Sequence, residues 1–439
     1  MDSLFKLEQN NTTVKTEVLA GITTFLATMY IIVVNPAIIS ETGMPFSALL
    51  TATILVTAFS SIAMGIYANN PIVLAPGMGL NAFFTYGVVI GMKVPWETAL
   101  GAIFWSGIVF ILLSILNVRV AIVKAIPKQL RYAIASGIGL FISFIGFKSA
   151  NFIVSNPATL IARGDLNPIT ITFLIGLAIT AILVVRKTPG ALILGISITT
   201  LLAIPIGRIW GDASAINYGT STLVTWGGFV SAPDWSLLFK LDLVGSLKLS
   251  ILPVIFAFLF TDMFDSLSTF IGVAEAADLT DEDGEPRNVK QSLIVDGIST
   301  TISGLFGTSS GTAYIESATG IEQGGRTGLT AVVGGLLFFP FIFLSPLLSI
   351  VPGIATATAL VLVGVFMMKP VLKINWASFD DAIPAFFAML LIPLTYSITQ
   401  GIVWGFLSWT VIKIAAGKTN EITLTLFIID IFAILSLVV

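Results

Sequence analysis

Long apolar stretches are the feature of this chain that most restricts its fold. They run to about 17–25 residues, enough to cross a bilayer as a helix, and are separated by charged residues or by Pro and Gly. The sequence is 56% hydrophobic and 10% charged, whereas roughly a quarter of a soluble domain is charged. The chain therefore needs lipid as its solvent, and we predict an all-α integral membrane protein.

The stretches predict about fourteen transmembrane helices. Residues 381–416 are too long for one simple helix and are interrupted around Ser397–Gly401, so they form either a broken helix or two short ones. In the first half the spans are 17–39, 47–68, 71–91, 97–116, 130–149, 168–186 and 189–207. In the second half they are 249–272, 289–307, 309–324, 327–350, 354–372, 381–416 and 421–438.

A polar segment that carries three tryptophans divides the predicted spans into two halves. It covers residues 208–248 and separates residues 1–207 from residues 249–439. Each half holds an odd number of spans in this count, so the two halves would cross the membrane in opposite senses. We therefore predict an inverted repeat, an organisation found in many secondary transporters.

The distribution of Lys and Arg predicts a cytosolic N-terminus, because these residues are enriched in cytosolic loops. Lys413 and Lys418 fall on the opposite side in a fourteen-span count, which conflicts with that count near the C-terminus. The basic residues assigned to the internal side are Lys6, Lys15, Arg119, Lys124, Lys128, Arg131, Arg186, Lys187, Arg287, Lys290, Arg326, Lys369 and Lys373. Those assigned to the external side are Lys93, Lys148, Arg163, Arg208, Lys240 and Lys248.

The absence of Cys and His narrows the chemistry of the chain. It rules out disulfides, thiolate sites, imidazole metal sites and His-based catalysis, so any protonation switch must use Asp, Glu or Tyr. The net charge of −3 is too small to indicate any class of partner, and the lack of a basic tract predicts no nucleic-acid partner. We also expect no metal and no cofactor. No cleaved signal peptide is expected either, because the N-terminus lacks an apolar core.

Three carboxylates lie inside apolar stretches. Asp262 and Asp265 are three residues apart in the span 249–272, and Thr269 follows four residues later, so all three share one helix face. Glu316 lies in a Gly-broken stretch of the same half. An acid at bilayer depth is costly and normally faces a bundle interior or a wet cavity, where it marks a path for substrate or protons. One of the two aspartates could instead be a buried structural acid, and the sequence does not say which.

Two segments at corresponding positions, the third span of each half, are rich in Gly and short polar residues. They cover residues 71–88 and 304–326. An interrupted helix exposes backbone groups that lipid cannot satisfy, so paired breaks indicate a midplane cavity. Phe83 and Phe84 could stack on a flat heterocycle there, and Asn81 could bond to its edge. The alternative is that the glycines and aromatic rings only pack helices together.

Four motifs in order carry a resemblance to a known family. They are FKLEQNNTTVKTEVLAGITTFLATMYIIVVNPAII, LAPGMGLNAFFTYGV, FLFTDMFDSLSTFIGVAEAADL and GLFGTSSGTAYIESATGIEQGGRTGL. Together they extend from residue 5 to about residue 330, and the spacing of the remaining spans agrees to the C-terminus. The chain resembles the adenine/guanine/hypoxanthine permeases, the AzgA-like branch of the nucleobase/cation symporters.

The resemblance implies a fold of fourteen helices in two inverted repeats of seven. A core domain would comprise residues 17–116 and 249–350, and a gate domain residues 117–207 and 351–439. In related uracil and xanthine carriers, short antiparallel strands in spans 3 and 10 meet near the substrate. Such families commonly work as homodimers, which is a further expectation.

The resemblance also implies which residues contact the base. In the relatives acids of spans 8 and 10 bind the base, and by motif these are Asp262, Asp265 and Glu316. The relatives often carry a His in span 8 close to the position of Asp265, so details of their base recognition need not transfer. The other residues expected at the site are Gly79, Asn81, Ala82, Phe83 and Phe84 in span 3, and Thr312, Ala313 and Tyr314 in span 10.

We therefore expect a permease of the plasma (inner) membrane that imports hypoxanthine, guanine or adenine with protons by alternating access. Glu316 and one of Asp262 and Asp265 would accept purine N–H bonds, Phe83 or Phe84 would stack on the ring, and the other span-8 carboxylate or Glu316 would carry the proton. The alternatives are a uracil- or xanthine-type carrier and Na⁺ coupling. An anion carrier is less favoured because every deep charge is acidic, and an intramembrane enzyme lacks a nucleophile–base pair.

Overall fold

A computed structural model of the chain describes residues 2–116, 127–214, 217, 220–277, 279, 286–423, 426–427, 430–431 and 433–434. Arg119, Lys124 and part of the predicted span 421–438 lie outside the described residues. The described chain is mostly helical, with four short strands.

The helices of the first half are α1 (Asp2–Phe5), α2 (Val14–Thr28), α3 (Ile31–Ile39), α4 (Phe46–Ala63), α5 (Met78–Ala82), α6 (Trp96–Ile115), α7 (Lys128–Ser149), α8 (Pro168–Val185) and α9 (Ala191–Ala203). Those of the second half are α10 (Leu252–Ala277), α11 (Val289–Phe306), α12 (Ala318–Glu322), α13 (Gly328–Leu336), α14 (Ser345–Leu348), α15 (Gly353–Phe366), α16 (Phe379–Thr395) and α17 (Ile398–Ala415). The strands are β1 (Leu74–Pro76), β2 (Ile153–Asn156), β3 (Leu160–Arg163) and β4 (Gly311–Ala313).

Seven helical stretches of the described residues are long and apolar enough to cross a bilayer. Their exposed side chains include Leu112, Val185 and Val411, which are 53%, 82% and 65% exposed. Exposed apolar side chains of this kind are stable against acyl chains and unstable against water. The seven stretches are Val14–Thr42, Phe46–Ala68, Trp96–Ile115, Lys128–Ser149, Pro168–Val185, Gly353–Lys373 and Ile398–Ala415.

The long helices pack into two bundles that each draw on both halves of the sequence. The first bundle consists of α2, α4, α6, α10, α11 and α13. The second bundle consists of α7, α8, α9, α15, α16 and α17. The segment from α5 through the helical residues Phe83–Gly91 lies along the first bundle, against α3 and α6, and also touches α7 of the second.

Two short strands join the two halves at the sites of the predicted helix breaks. β1 and β4 pair antiparallel, with Ala75 opposite Thr312, and Tyr314 N donates to Val73 O at 3.0 Å. Each strand therefore satisfies backbone groups that the other's interrupted helix would leave unpaired in lipid. The predicted breaks and the expected strand pair are confirmed.

A second strand pair is an addition to the mostly helical fold that the sequence did not predict. β2 and β3 form an antiparallel hairpin between α7 and α8. The side chain of Asn156 accepts hydrogen bonds from Ala158 N at 2.8 Å and Thr159 N at 3.1 Å. This Asx turn at an Asn-Pro pair reverses the chain. Counting long apolar stretches does not detect so short a hairpin.

The stretch predicted as 381–416 consists of two helices, α16 and α17, rather than one. Tyr396 has a left-handed backbone with φ 57° and ends α16, and Ser397 caps α17 by accepting a hydrogen bond from Gln400 N at 3.3 Å. The break predicted around Ser397–Gly401 is therefore confirmed. With two helices here, Lys413 lies beside Asp381 at the start of α16.

The same change removes the conflict over Lys413 and Lys418. Asn375 N, which lies just before α16, donates to Gln129 Oε1 at 2.9 Å. The start of α7, the start of α16 and the end of α17 thus share one end of the second bundle. We call it the basic end, because it holds Lys128, Arg131, Lys373, Lys413 and Lys418.

Lys413 forms a buried ionic cluster at the basic end. Its ammonium group lies 2.7 Å from Asp380, 2.8 Å from Asp381 and 2.9 Å from Glu421, and 4.3 Å from the centre of the Trp409 ring. The lysine is 1% exposed. Such a cluster fixes α17 against α16, because neither charge can be left unpaired at this depth without a large cost.

We expect Lys413→Met to lower the free energy of unfolding by about 2 kcal/mol, below the usual cost of breaking a buried pair because the acids keep some contact with water. Lys418→Met is the matched control, since the Lys418 side chain is 46% exposed and pairs only with Asp380 among the described residues. The measurement is the thermal unfolding midpoint in detergent. Equal midpoints for the two variants would contradict the assignment.

The loop between the halves is fastened to the first bundle at several points. Asp242 N donates to Glu97 O at 2.9 Å and Phe239 N donates to Leu305 O at 2.8 Å. Ser47 Oγ donates to Asp234 Oδ2 at 2.6 Å, and this hydrogen bond holds the pKa of the Asp234 carboxyl below its usual value. Asp234, Phe239 and Asp242 of the loop are therefore held against one end of the first bundle.

Candidate functional site

A cavity of about 50 Å³ lies beside strands β1 and β4, between the two bundles. The first bundle and the strand region supply most of its wall, and α15 of the second bundle closes the other side. Its lining residues are Tyr30, Gly77, Met78, Gly79, Asp265, Thr269, Thr312, Ala313, Tyr314, Ile315, Glu316, Val363, Phe366 and Met367.

The two aspartates of α10 occupy different environments. Asp265 lines the cavity and is partly exposed to it, and no hydrogen bond to its carboxylate is found among the described residues. Asp262 lies one turn earlier and is fully buried, and Thr300 Oγ1 donates to its Oδ2. The structure thus places Asp265 at the cavity and Asp262 behind strand β4.

Glu316 reaches the cavity from the turn that follows β4. Tyr30 Oη donates to Glu316 Oε1 at 2.8 Å, and the tyrosine is 1% exposed. This hydrogen bond fixes one carboxylate oxygen, and no other residue among those described donates to the second. Asp265 and Glu316 therefore present acceptors to one cavity from two different elements.

Side chains of α10 and α11 hold strand β4 in place. Ser266 Oγ lies 2.6 Å from Thr312 Oγ1 and accepts from Ala313 N at 3.1 Å. On the other side, Thr300 Oγ1 lies 3.1 Å from the carbonyl oxygen of Gly311. Hydrogen bonds thus join strand β4 to the segment of α10 that carries the two aspartates.

Several residues predicted for the site do not reach the cavity. Asn81 is fully buried and accepts a hydrogen bond from Ser309 Oγ. Phe83 is 1% exposed and its ring contacts that of Phe258 at a centre distance of 4.8 Å, Phe84 is fully buried, and Ala82 is 1% exposed. These side chains project into the first bundle, because the helix that follows β1 turns only its first residues, Met78 and Gly79, toward the cavity.

The sequence prediction missed residues from two elements. Tyr30 is a polar ring inside the apolar run MYIIVV, and that contrast is a signal that could have identified it. Val363, Phe366 and Met367 come from α15 and look like any other lipid-compatible residues in the sequence. Three aromatic rings therefore face the cavity, those of Tyr30, Tyr314 and Phe366, in place of Phe83 and Phe84.

Gly79 is where the cavity wall meets the second bundle most closely. A Cβ at this position would lie 2.5 Å from Ile138 Cγ2 of α7, which is closer than any real Cβ contact. A glycine is therefore required for α5 to approach α7 as it does. The contact lies directly beside the cavity, since Gly79 also lines it.

Membrane-spanning bundles with an acidic cavity between them, bordered by two interrupted helices, define a membrane transport protein. The comparison with known families agrees. Residues 15–404 match the model Xan_ur_permease, described as the Permease family, and the chain belongs to that family. It is thus a permease and not an enzyme.

Individual relatives and a solved structure extend the comparison. The chain is 45% identical to adenine permease AdeP of Escherichia coli, over all of this chain and 96% of that one. It is 39% identical to guanine/hypoxanthine permease PbuO of Bacillus subtilis, over 95% and 96% of the two chains. It shares its fold with the transmembrane domain of the cyanobacterial bicarbonate transporter BicA, with a TM-score of 0.64 at 16% identity over 87% and 96% of the chains.

Proposed function

We propose that this permease imports purine nucleobases, namely hypoxanthine, guanine or adenine, together with protons. The observation that carries the proposal is the pair of carboxylates, Asp265 and Glu316, that face one cavity from two elements. Relatives that transport adenine or guanine and hypoxanthine support the choice of substrate.

The chemistry of a purine suits this cavity. Its ring N–H and amino groups are donors, and Asp265 together with the second oxygen of Glu316 supplies acceptors. Its flat faces suit the aromatic side chains of Tyr30, Tyr314 and Phe366, so stacking is assigned to these rings. An anion would find no Lys or Arg among the described residues that line the cavity.

The coupling proton is proposed to reside on the acids of α10 or on Glu316. Thr300 has a single hydroxyl proton but lies in hydrogen-bond contact with both Asp262 Oδ2 and Gly311 O. A protonated Asp262 completes this chain, since it donates to Thr300 while Thr300 donates to Gly311 O. Protonation of Asp262 would thus change the hydrogen bonding of strand β4, beside the substrate. Na⁺ coupling is the alternative.

We further propose that the chain crosses the membrane fourteen times as two inverted repeats of seven. The helices from α2 to α9, with the segment 71–91, supply the first repeat, and those from α10 to α17 supply the second. The first bundle would be the core domain and the second the gate domain. The lysines of the basic end favour a cytosolic location for that end.

Uptake of radiolabelled hypoxanthine by cells that lack their own purine carriers tests the function. We expect uptake that a protonophore abolishes and that unlabelled guanine or adenine competes. Uptake that persists with the protonophore but requires Na⁺ would identify Na⁺ as the coupling ion in place of the proton. Competition only by uracil or xanthine would replace the substrate, and no uptake with any base would overturn the proposal.

Tyr30→Phe removes the hydroxyl that fixes Glu316 but keeps the aromatic ring. We expect the KM for hypoxanthine to rise about tenfold, the usual value of a hydrogen bond to a charged group, with little change in maximal rate. Tyr67→Phe is the matched control, because Tyr67 is 58% exposed on a helix end away from the cavity. An unchanged KM in Tyr30→Phe would show that Glu316 needs no such support.

A further inference from the structure

A lysine bridges two tyrosines at the end of the bundles opposite to the basic end. Lys148 Nζ lies 5.3 Å from the ring centre of Tyr86 and 5.3 Å from that of Tyr396. The two rings contact each other edge to face, with centres 5.9 Å apart. An ammonium group over two ring faces is attracted by both. Lys148 is in the last turn of α7, and Lys128 at the basic end is in its first.

The four residues of this cluster come from both bundles. Tyr86 lies along the first bundle and donates to Glu41 Oε1 at 2.7 Å. Lys148 and Tyr396 belong to the second bundle. We call Glu41, Tyr86, Lys148 and Tyr396 the tyrosine–lysine latch, since its contacts tie one bundle to the other.

The second bundle holds Tyr396 firmly in position. Phe141 and Phe144 of α7 contact its ring at centre distances of 5.1 Å and 5.6 Å. Its left-handed backbone is unusual for a bulky residue, and the turn between α16 and α17 depends on it. The ring is therefore a rigid part of the second bundle and would move with it.

A cavity of about 500 Å³ opens beside the latch. Tyr86 and Tyr396 line it together with Ser250, Ser397 and Gln400, among others. None of its described lining residues also lines the acidic cavity. Both cavities border the same helical segment, because Gly79 lines the acidic cavity and Tyr86, seven residues further along the chain, lines the larger one.

We propose that the tyrosine–lysine latch is the outer gate of the permease, closed in this structure. When the bundles rock apart at this end, Lys148 and Tyr396 separate from Tyr86. A passage then opens between the large cavity and the acidic cavity. The inference rests on the alternating-access mechanism proposed above. The large cavity is then the vestibule through which a base enters from outside.

The absence of Cys allows a direct test in intact cells. Thr269→Cys places a single thiol in the acidic cavity, and a membrane-impermeant methanethiosulfonate applied outside reports access to it. We expect Lys148→Met to raise the labelling rate about fivefold, because two ring contacts of the cation are lost. Tyr396→Ala should act in the same direction. Lys148→Arg should label like the parent, since a guanidinium also binds ring faces.

Two controls complete the experiment. Lys93→Met removes a positive charge from an exposed lysine near the vestibule and should leave the labelling rate of Thr269→Cys unchanged. Gln400→Cys places a thiol in the vestibule and should label from outside with the latch intact. Equal labelling of Thr269→Cys with and without Lys148→Met would overturn the proposal that the latch is the outer gate. The absence of labelling of Gln400→Cys would do the same. Labelling needs no substrate, so this outcome is distinct from a failure of purine uptake.

Discussion

Glu316→Gln is expected to reduce kcat/KM for purine uptake about 100-fold, because a charged acceptor facing the ligand is replaced by an amide. The amide can still accept a hydrogen bond from Tyr30, as Oε1 does now, so the turn after β4 should keep its shape. The effect should therefore appear in uptake and not in stability. The measurement is initial-rate uptake of labelled hypoxanthine over a concentration series.

Glu322→Gln is the matched control for this prediction. Glu322 lies six residues later, at the end of α12, is exposed, and does not line the cavity. It should transport like the parent when both are expressed to the same level. Normal proton-driven uptake by the Glu316→Gln variant would show that Glu316 does not bind the base. Asp265 would then be the acid that faces the base.

Gly79→Val is the second change with a large expected effect. Its Cβ would lie 2.5 Å from Ile138 Cγ2, so α5 and α7 would be forced apart next to the cavity. We expect uptake to fall below about 1% of the parent, as displacements of around an ångström at a functional site commonly cause 100-fold losses. Initial-rate uptake, corrected for the amount of protein in the membrane, measures it.

A second-site change tests the reason for that loss. Ile138→Ala removes the atom that the new side chain would strike, so the double variant should recover a substantial part of the uptake. Gly353→Val is the control, because a Cβ at Gly353 meets nothing within 4 Å. Failure of Ile138→Ala to restore any uptake would mean that Gly79 acts through the ligand and not through helix packing.

The sequence predicts well whatever depends on the membrane as a solvent. Acids in an apolar span must face a cavity, and broken helices must find backbone partners, so Asp265, Glu316 and the β1–β4 region could be identified in advance. The interruption near Ser397 could also be identified, because a stretch of that length cannot be one straight helix. These inferences use only the cost of polar groups in lipid.

The sequence predicts poorly which side of a helix faces the cavity when every side is apolar. Phe83 and Phe84 were expected to stack on a base, yet both are buried in the first bundle, while Phe366 of α15 faces the cavity. Nothing in the pattern separates these phenylalanines, because only tertiary packing decides between them. The separate surroundings of Asp262 and Asp265 likewise depend on Thr300, which is 38 residues from Asp262 in the sequence.

The pairing of β1 with β4 also has a consequence for how the protein is made. Residue 75 has no strand partner until residue 312 has been synthesised and inserted. During that interval the first interrupted helix holds unpaired backbone groups in or near the bilayer, which favours delayed or shallow insertion. A fragment ending before residue 311 should therefore be degraded when expressed alone. Coexpression with the second half as a separate chain should stabilise it, since the missing strand would then be supplied by the other polypeptide.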